Sequence, residues 1–293
     1  LSLTSLPLNR IEIKNNIEIH YAEAGVGQPL IFVHGGMGDW QSWAPQWEAF
    51  VPHFRCISYS RRFSSPNRNQ LHSTAHSVVD EAEDFAELID AWHAAPAILV
   101  GTSYGAYTAL ALALRWPDKV RALALTEPPV LPFADRVPGG QEAREAFERD
   151  VLRPSDKAFA AGRIDDAIGI LTGGINGRDS EAMSEAGLAG RRRNAQAMRA
   201  LALSSEAYPA LDLQALAALE IPTLLLRGER TQAIHRAVSS ALAALMPQTR
   251  TIEVPSAGHG VHRDNPVLFN AVVLRFLAAQ PVALPDLGLA SWT

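Results

Sequence analysis

The 293 residues carry 26 Lys and Arg against 31 Asp and Glu, a net charge of -5, and 47% of them are hydrophobic. That balance suits a globular protein with one large core or one α/β domain carrying an insertion, and it offers no basic excess for nucleic acid. With no run of about 18 apolar residues and no basic-then-apolar leader, neither a membrane span nor a signal peptide is expected, and the cytoplasm is the expected compartment.

In chain order, Arg10–Ile13 and Ile17–Tyr21 alternate apolar and polar residues about Asn15-Asn16, the pattern of a β-hairpin at a sheet edge. Short apolar runs then recur at Leu30–Val33, Arg55–Tyr59, Ala97–Val100, Val120–Thr126, Thr223–Leu226 and Arg250–Val254, each reading as a strand. The lone cysteine, Cys56, falls in the second of these runs and reads as a buried strand position. Between the runs, apolar residues at helical spacing predict helices over about 43–50, 75–92, 106–116, 233–246 and 267–278. Such alternation calls for an α/β fold, a mostly parallel sheet with helices on both faces. From Pro128 to about Ala218 there is no strand pattern, only Ala-rich, charged, helix-prone sequence broken at Pro138-Gly139-Gly140, Gly173-Gly174 and Asn176-Gly177. Residues 1–129 and 216–293 therefore read as the core, and 130–215 as an inserted helical cap.

The most informative segment is Gly101-Thr102-Ser103-Tyr104-Gly105, which separates the apolar run Ala97–Val100 from a run of strong helix formers. Strand, Gly-x-Ser-x-Gly turn and helix together make an elbow that presents a serine hydroxyl at the top of a sheet, so Ser103 is the candidate nucleophile. A serine needs a base oriented by a third group. His259, flanked by Gly258 and Gly260 after the last strand, has the best setting, and His262 is the alternative. Acyl transfer also needs donors for an oxyanion. The amide of Tyr104 is one candidate, and the amide of Gly36 or Met37, in the Gly-rich loop that begins at His34, is the other.

The set formed by His34-Gly35-Gly36, Gly101–Gly105, Gly228-Glu229 and Gly258-His259, in that order, resembles the α/β-hydrolase fold superfamily from about Ile11 to Leu277. The resemblance implies an eight-stranded sheet, a cap inserted after the sixth strand, and a triad in the chain order nucleophile, acid, base. The acid departs from the family's commoner pattern. Most members place it a few residues after the seventh strand, where this chain has Thr231 in Gly228-Glu229-Arg230-Thr231. Some relatives, including certain haloalkane dehalogenases, use a carboxylate just after the sixth strand. Glu127 stands there, and it is preferred over Glu229. A second departure is Ser60-Arg61-Arg62-Phe63-Ser64, which replaces a Gly-rich loop of the family. Arg61 or Arg62 either satisfies loop carbonyls or pairs with an anionic substrate.

His34, Trp40 and Arg62 are the side chains expected nearest the substrate, whereas Trp43 and Trp47, one helical turn apart, read as core. Arg191-Arg192-Arg193 in the insertion reads as a solvated basic face before a substrate clamp. No His, Cys and carboxylate grouping has metal-ligand spacing, so neither a metal nor another cofactor is expected. The sequence thus predicts a serine hydrolase that cleaves an ester, lactone or similar acyl bond of a small molecule through an acyl-enzyme. A carbon–carbon bond hydrolase of the diketone-cleaving type is the alternative, followed by a cofactor-free lyase or oxygenase and, from a different class, a non-catalytic ligand-binding receptor. Serine in place of aspartate at the elbow argues against epoxide hydrolase or dehalogenase chemistry.

Overall fold

Strands β1 (Asn9–Ile13), β2 (Ile17–Ala24), β3 (Pro29–Val33), β4 (Arg55–Tyr59), β5 (Ala97–Thr102), β6 (Val120–Thr126), β7 (Thr223–Gly228) and β8 (Arg250–Val254) form one sheet. Their order is β1-β2-β4-β3-β5-β6-β7-β8. This computed structural model describes residues 2–71, 73–177 and 184–280. Residues 178–183 of the expected insertion and 281–293 of the expected core lie outside the described residues. The hairpin β1–β2 and the pair β2–β4 are antiparallel, and every pairing from β4 to β8 is parallel.

Alternate residues of a strand point to opposite faces, and each face has its own core. Ile31, Val33, Leu99, Leu123 and Leu125 pack on one side, and Leu30, Phe32, Ile98, Val100 and Leu224 on the other. Both faces of the central strands are covered, which is why these runs read as continuously apolar rather than alternating. The helices that precede the β6–β7 connection are α1 (Ala44–Phe50), α2 (Val78–Ala91) and α3 (Tyr104–Arg115). Between β6 and β7 lie α4 (Gly140–Phe147), α5 (Arg153–Ala160), α6 (Ile164–Asn176), α7 (Glu185–Arg193), α8 (Ala195–Ala202) and α9 (Leu213–Ala217), with no strand among the described residues of that interval. After β7 come α10 (Ala233–Leu245), α11 (Val261–Asp264) and α12 (Pro266–Ala278).

Caps move two helix starts from where periodicity alone places them. Ser77 and Asp80 form a capping box, so α2 begins at Val78 rather than near Ala75. Asp39 caps a tight 3-10 turn over Trp40–Trp43, so the α-helix proper begins at Ala44. Because β3 and β5–β8 run parallel, their C-terminal ends open on one edge of the sheet, where a ligand crevice of such folds is found.

Candidate active site

Ser103 joins β5 to α3 with φ 51° and ψ -127°, a backbone region costly for a residue with a side chain. Neighbouring contacts hold that strain. The Ser103 amide donates to the Thr126 carbonyl at 2.7 Å, tying the turn to β6. A Cβ on Gly105 would lie 2.2 Å from the Val33 carbonyl oxygen, and one on Gly101 would lie 2.7 Å from Ala106 Cα. Only glycine lets α3 press this closely on β3 and β5, which is the physical content of the Gly-x-Ser-x-Gly pattern.

At the end of β6, Glu127 also takes a positive φ, 45°. Its carboxylate is almost wholly buried and fully engaged: Oε1 accepts from the Gly228 amide at 2.8 Å, and Oε2 accepts from Thr231 Oγ1 at 2.7 Å and from His259 Nδ1 at 2.6 Å. Burial acts to raise the Glu127 pKa, but the hydrogen bond and charge of His259, aided by the Gly228 amide, hold it below the ordinary carboxylate value. Thr231, where the resemblance would put the commoner acid, instead donates its hydroxyl to Glu127. His259 presents a buried Nε2 with no hydrogen-bond partner among the described residues.

The other candidates lie elsewhere. Glu229 is exposed and accepts from the Ser256 amide at 2.7 Å, and the structure does not bring it to His259. His262 is buried, with its ring 4.8 Å from that of Trp43, and burial keeps its pKa well below the ordinary imidazole value.

The loop after β3 turns tightly, with the Gly38 amide donating to the Gly35 carbonyl at 3.2 Å. That leaves the Gly36 and Met37 amides outside the turn's own bond, and both residues line the same cavity as Tyr104, whose amide, the first of α3, has no partner within its helix. His34 anchors the loop rather than facing a ligand. Its Nδ1 donates to the Gly35 carbonyl at 2.8 Å, and its Nε2 accepts from the Arg61 amide at 3.0 Å. Burial, with the Arg61 charge adding, lowers its pKa to about 3, so the ring is neutral.

Trp40 and Arg62, also expected near the substrate, are corrected in the same way. Trp40 is packed in the core formed with Trp43 and Trp47, because the 3-10 turn rotates it inward. Arg62 forms a two-pronged pair with Asp84, both contacts 2.6 Å. Arg61 is buried, pairs with Glu81 at 3.0 Å and lies over the Tyr104 ring at 5.0 Å. In place of glycines this loop therefore carries two ion pairs, of which Arg61–Glu81 is buried and packs against Tyr104, the residue after Ser103.

Two cavities meet at Ser103. One, of about 650 Å³, has Gly36, Tyr104, Phe147, Leu171, Leu201 and His235 among its walls. The other, of about 400 Å³, is lined by Met37, Ser103, His259, Arg191, Arg193 and Arg263 among others. Sequence reading missed His235, on α10, whose ring stacks on that of His259 with centroids 4.0 Å apart. Burial, with the nearby His259 adding, lowers its pKa to about 3, so it is a neutral neighbour of that imidazole. Glu127, His235 and His259 together could offer three ligand atoms within 4.8 Å of one another, a grouping invisible in sequence because it joins three separate elements. Within it, Glu127 and His259 are joined by a 2.6 Å hydrogen bond and His235 stacks on His259, so the grouping reads as a carboxylate–imidazole pair with a stacked neighbour.

A family model described as the alpha/beta hydrolase fold matches residues 28–266. Among curated proteins, a putative 2-succinyl-6-hydroxy-2,4-cyclohexadiene-1-carboxylate synthase of Bacillus subtilis is 27% identical over 276 residues, covering 89% of this chain and 96% of its own. A 2-(acetamidomethylene)succinate hydrolase of Mesorhizobium japonicum is 26% identical over 290 residues, covering 92% and 95%. Among solved structures, the esterase RhEst1 from Rhodococcus sp. superposes with a TM-score of 0.73, at 19% identity over 93% of this chain and 98% of its own.

Proposed function

Since this chain belongs to the alpha/beta hydrolase fold family, we propose that it is a serine hydrolase cleaving an ester, lactone or similar acyl bond, with the α4–α9 region as a cap over Ser103. The observation that carries this reading is the bond from His259 Nδ1 to the buried Glu127 carboxylate, with the Ser103 elbow opening on the cavity that His259 also lines. Ser103 Oγ attacks the acyl carbon while His259 Nε2 takes its proton, and Glu127 keeps the other imidazole proton on Nδ1 and offsets the charge that develops. The amides of Tyr104 and of Gly36 or Met37 hold the oxyanion. The imidazolium then protonates the leaving oxygen. Water, deprotonated in turn by His259, attacks the acyl-enzyme and frees the acid and Ser103.

Labelling with a fluorophosphonate and locating the adduct by peptide mass spectrometry tests the nucleophile, alongside a screen of chromogenic esters and lactones. An adduct on Ser103 that appears as ester cleavage is lost is expected. An adduct on another serine, or none in protein that cleaves esters, refutes the assignment. The likeness to a putative synthase favours a lyase as the second reading. A lyase would convert its substrate without an acyl adduct on Ser103 and without consuming water.

A further inference from the structure

Three of the four ionised side chains around the smaller cavity are arginines, Arg191, Arg193 and Arg263; the fourth is Asp39. Asp39 is committed elsewhere, since it accepts from the Gln41 amide at 3.0 Å and from Asn194 Nδ2 at 2.9 Å. Arg191 is the unusual one. Its neighbour on α7, Arg192, pairs with Asp165 at 2.8 Å and Glu185 at 3.1 Å, and Arg144 beside the larger cavity pairs with Asp135 at 2.7 Å and Glu148 at 2.8 Å. Arg191, by contrast, has no carboxylate partner among the described residues. Its hydrogen-bond partner is Met37 Sδ at 3.2 Å, a weak acceptor on the oxyanion loop itself. Burial, with the Arg263 charge adding, lowers its pKa to about 10, so at neutral pH the guanidinium remains charged in a place that penalises charge. A half-buried cation is costly unless it is paired, and the cavity that Arg191 lines offers room for an anionic group.

Resting on the acyl-hydrolase reading, we propose that the substrate carries a carboxylate, held in the smaller cavity by Arg191, while its remaining portion extends from Ser103 into the larger cavity. A guanidinium suits a carboxylate because its N–H fork can donate two parallel bonds. Gly35, Gly36, Gly187, Gly190 and Gly260 in the walls leave room for the group to approach. The two cavities meet at Ser103, so the scissile bond would lie between a charged end and a less polar end.

The test compares 4-nitrophenyl hydrogen adipate with 4-nitrophenyl methyl adipate, whose distal methyl ester removes the charge at nearly the same length. The wild type should prefer the free acid by about 10–150-fold in kcat/KM, the range expected for a hydrogen bond to a charged group. Arg191→Met should bring the ratio close to one, whereas Arg192→Met, whose side chain pairs outward, should leave it intact. Equal kcat/KM for the two esters in the wild type, or an unchanged ratio in Arg191→Met, overturns the proposal while the hydrolase reading stands.

Equilibrium binding to Ser103→Ala protein separates the two failures. Calorimetry should show monomethyl adipate binding at least tenfold more tightly than dimethyl adipate, with the difference absent from Ser103→Ala/Arg191→Met. Such selectivity without turnover of any ester would refute the hydrolase reading and support the carboxylate site. Equal binding would refute the site.

Discussion

Replacing Glu127 with Gln changes one atom's hydrogen-bonding character, and the surrounding donors decide the consequence. In the wild type every donor points at the carboxylate: the Gly228 amide at Oε1, and the Thr231 hydroxyl and His259 Nδ1 at Oε2. A Gln side chain has two orientations there. If its NH2 group faces Gly228, two donors confront each other in a buried site at a cost of about 1–3 kcal/mol. The other orientation avoids this, because the Thr231 hydroxyl can rotate to accept. It also aims N–H at His259 Nδ1, which must then accept, so the imidazole proton moves to Nε2 and that atom can no longer take the proton of Ser103. The packing around Gly228 therefore favours the inactive tautomer.

Loss of a triad acid's tautomer control can cost about four orders of magnitude in kcat, or about 5.5 kcal/mol of transition-state stabilisation. We expect Glu127→Gln to lower kcat by about a thousandfold or more with KM little changed, and Glu229→Gln to stay within a few-fold of wild type. Steady-state kinetics on an activated ester, with folding checked by circular dichroism, reads the rates, and nitrogen NMR of the His259 ring reads the tautomer. Glu127→Gln within tenfold of wild type, or Glu229→Gln as the crippling change, refutes the reasoning.

Thr231→Val removes one donor from the Glu127 carboxylate; kcat should fall by about tenfold, and Thr231→Ser should restore most of it. No rescue by Ser would mean that Thr231 acts only through packing. His262→Phe addresses acid stability. The unfolded imidazole binds a proton below about pH 6.5, whereas native His262 is held well below that value, so its contribution to stability is intact above pH 6.5 and is lost as pH falls. Phenylalanine keeps an aromatic ring against Trp43 and should reduce the slope of stability against pH by up to about 1.4 kcal/mol per unit over the range just below about pH 6.5. Urea unfolding across that range checks it, and identical slopes in the two proteins would refute it.

The strands, the Ser103 elbow and the helical run between β6 and β7 were legible in the sequence, because each depends on local periodicity or on glycines required by close backbone approach. The edge hairpin was legible for a similar reason: Asn15 and Asn16 both adopt positive φ, a conformation asparagine tolerates well. Glu127 could be singled out only through the family resemblance, which marks the end of β6 as an alternative place for an acid once Thr231 lacks a carboxylate. Nothing local indicated that Thr231 would turn its hydroxyl to that same Glu127, or that His235 would stack on His259.

Arg62, His34 and Trp40 were misjudged for one reason. Each lies in a loop that follows a strand leading to the ligand edge, but a side chain's direction there depends on partners distant in sequence: Asp84 for Arg62, Arg61 for His34, and for Trp40 a buried core that reaches as far along the chain as Phe269. Arg191 shows the converse. In sequence it is one of three like residues, and only the fold turns Arg192 toward Asp165 and Arg191 toward Met37. Backbone pattern is written in neighbouring residues and survives reading one window at a time. Charge pairing and cavity lining are set by contacts between distant elements, so only the assembled sheet and its overlying helices decide which polar groups meet and which remain open to a substrate.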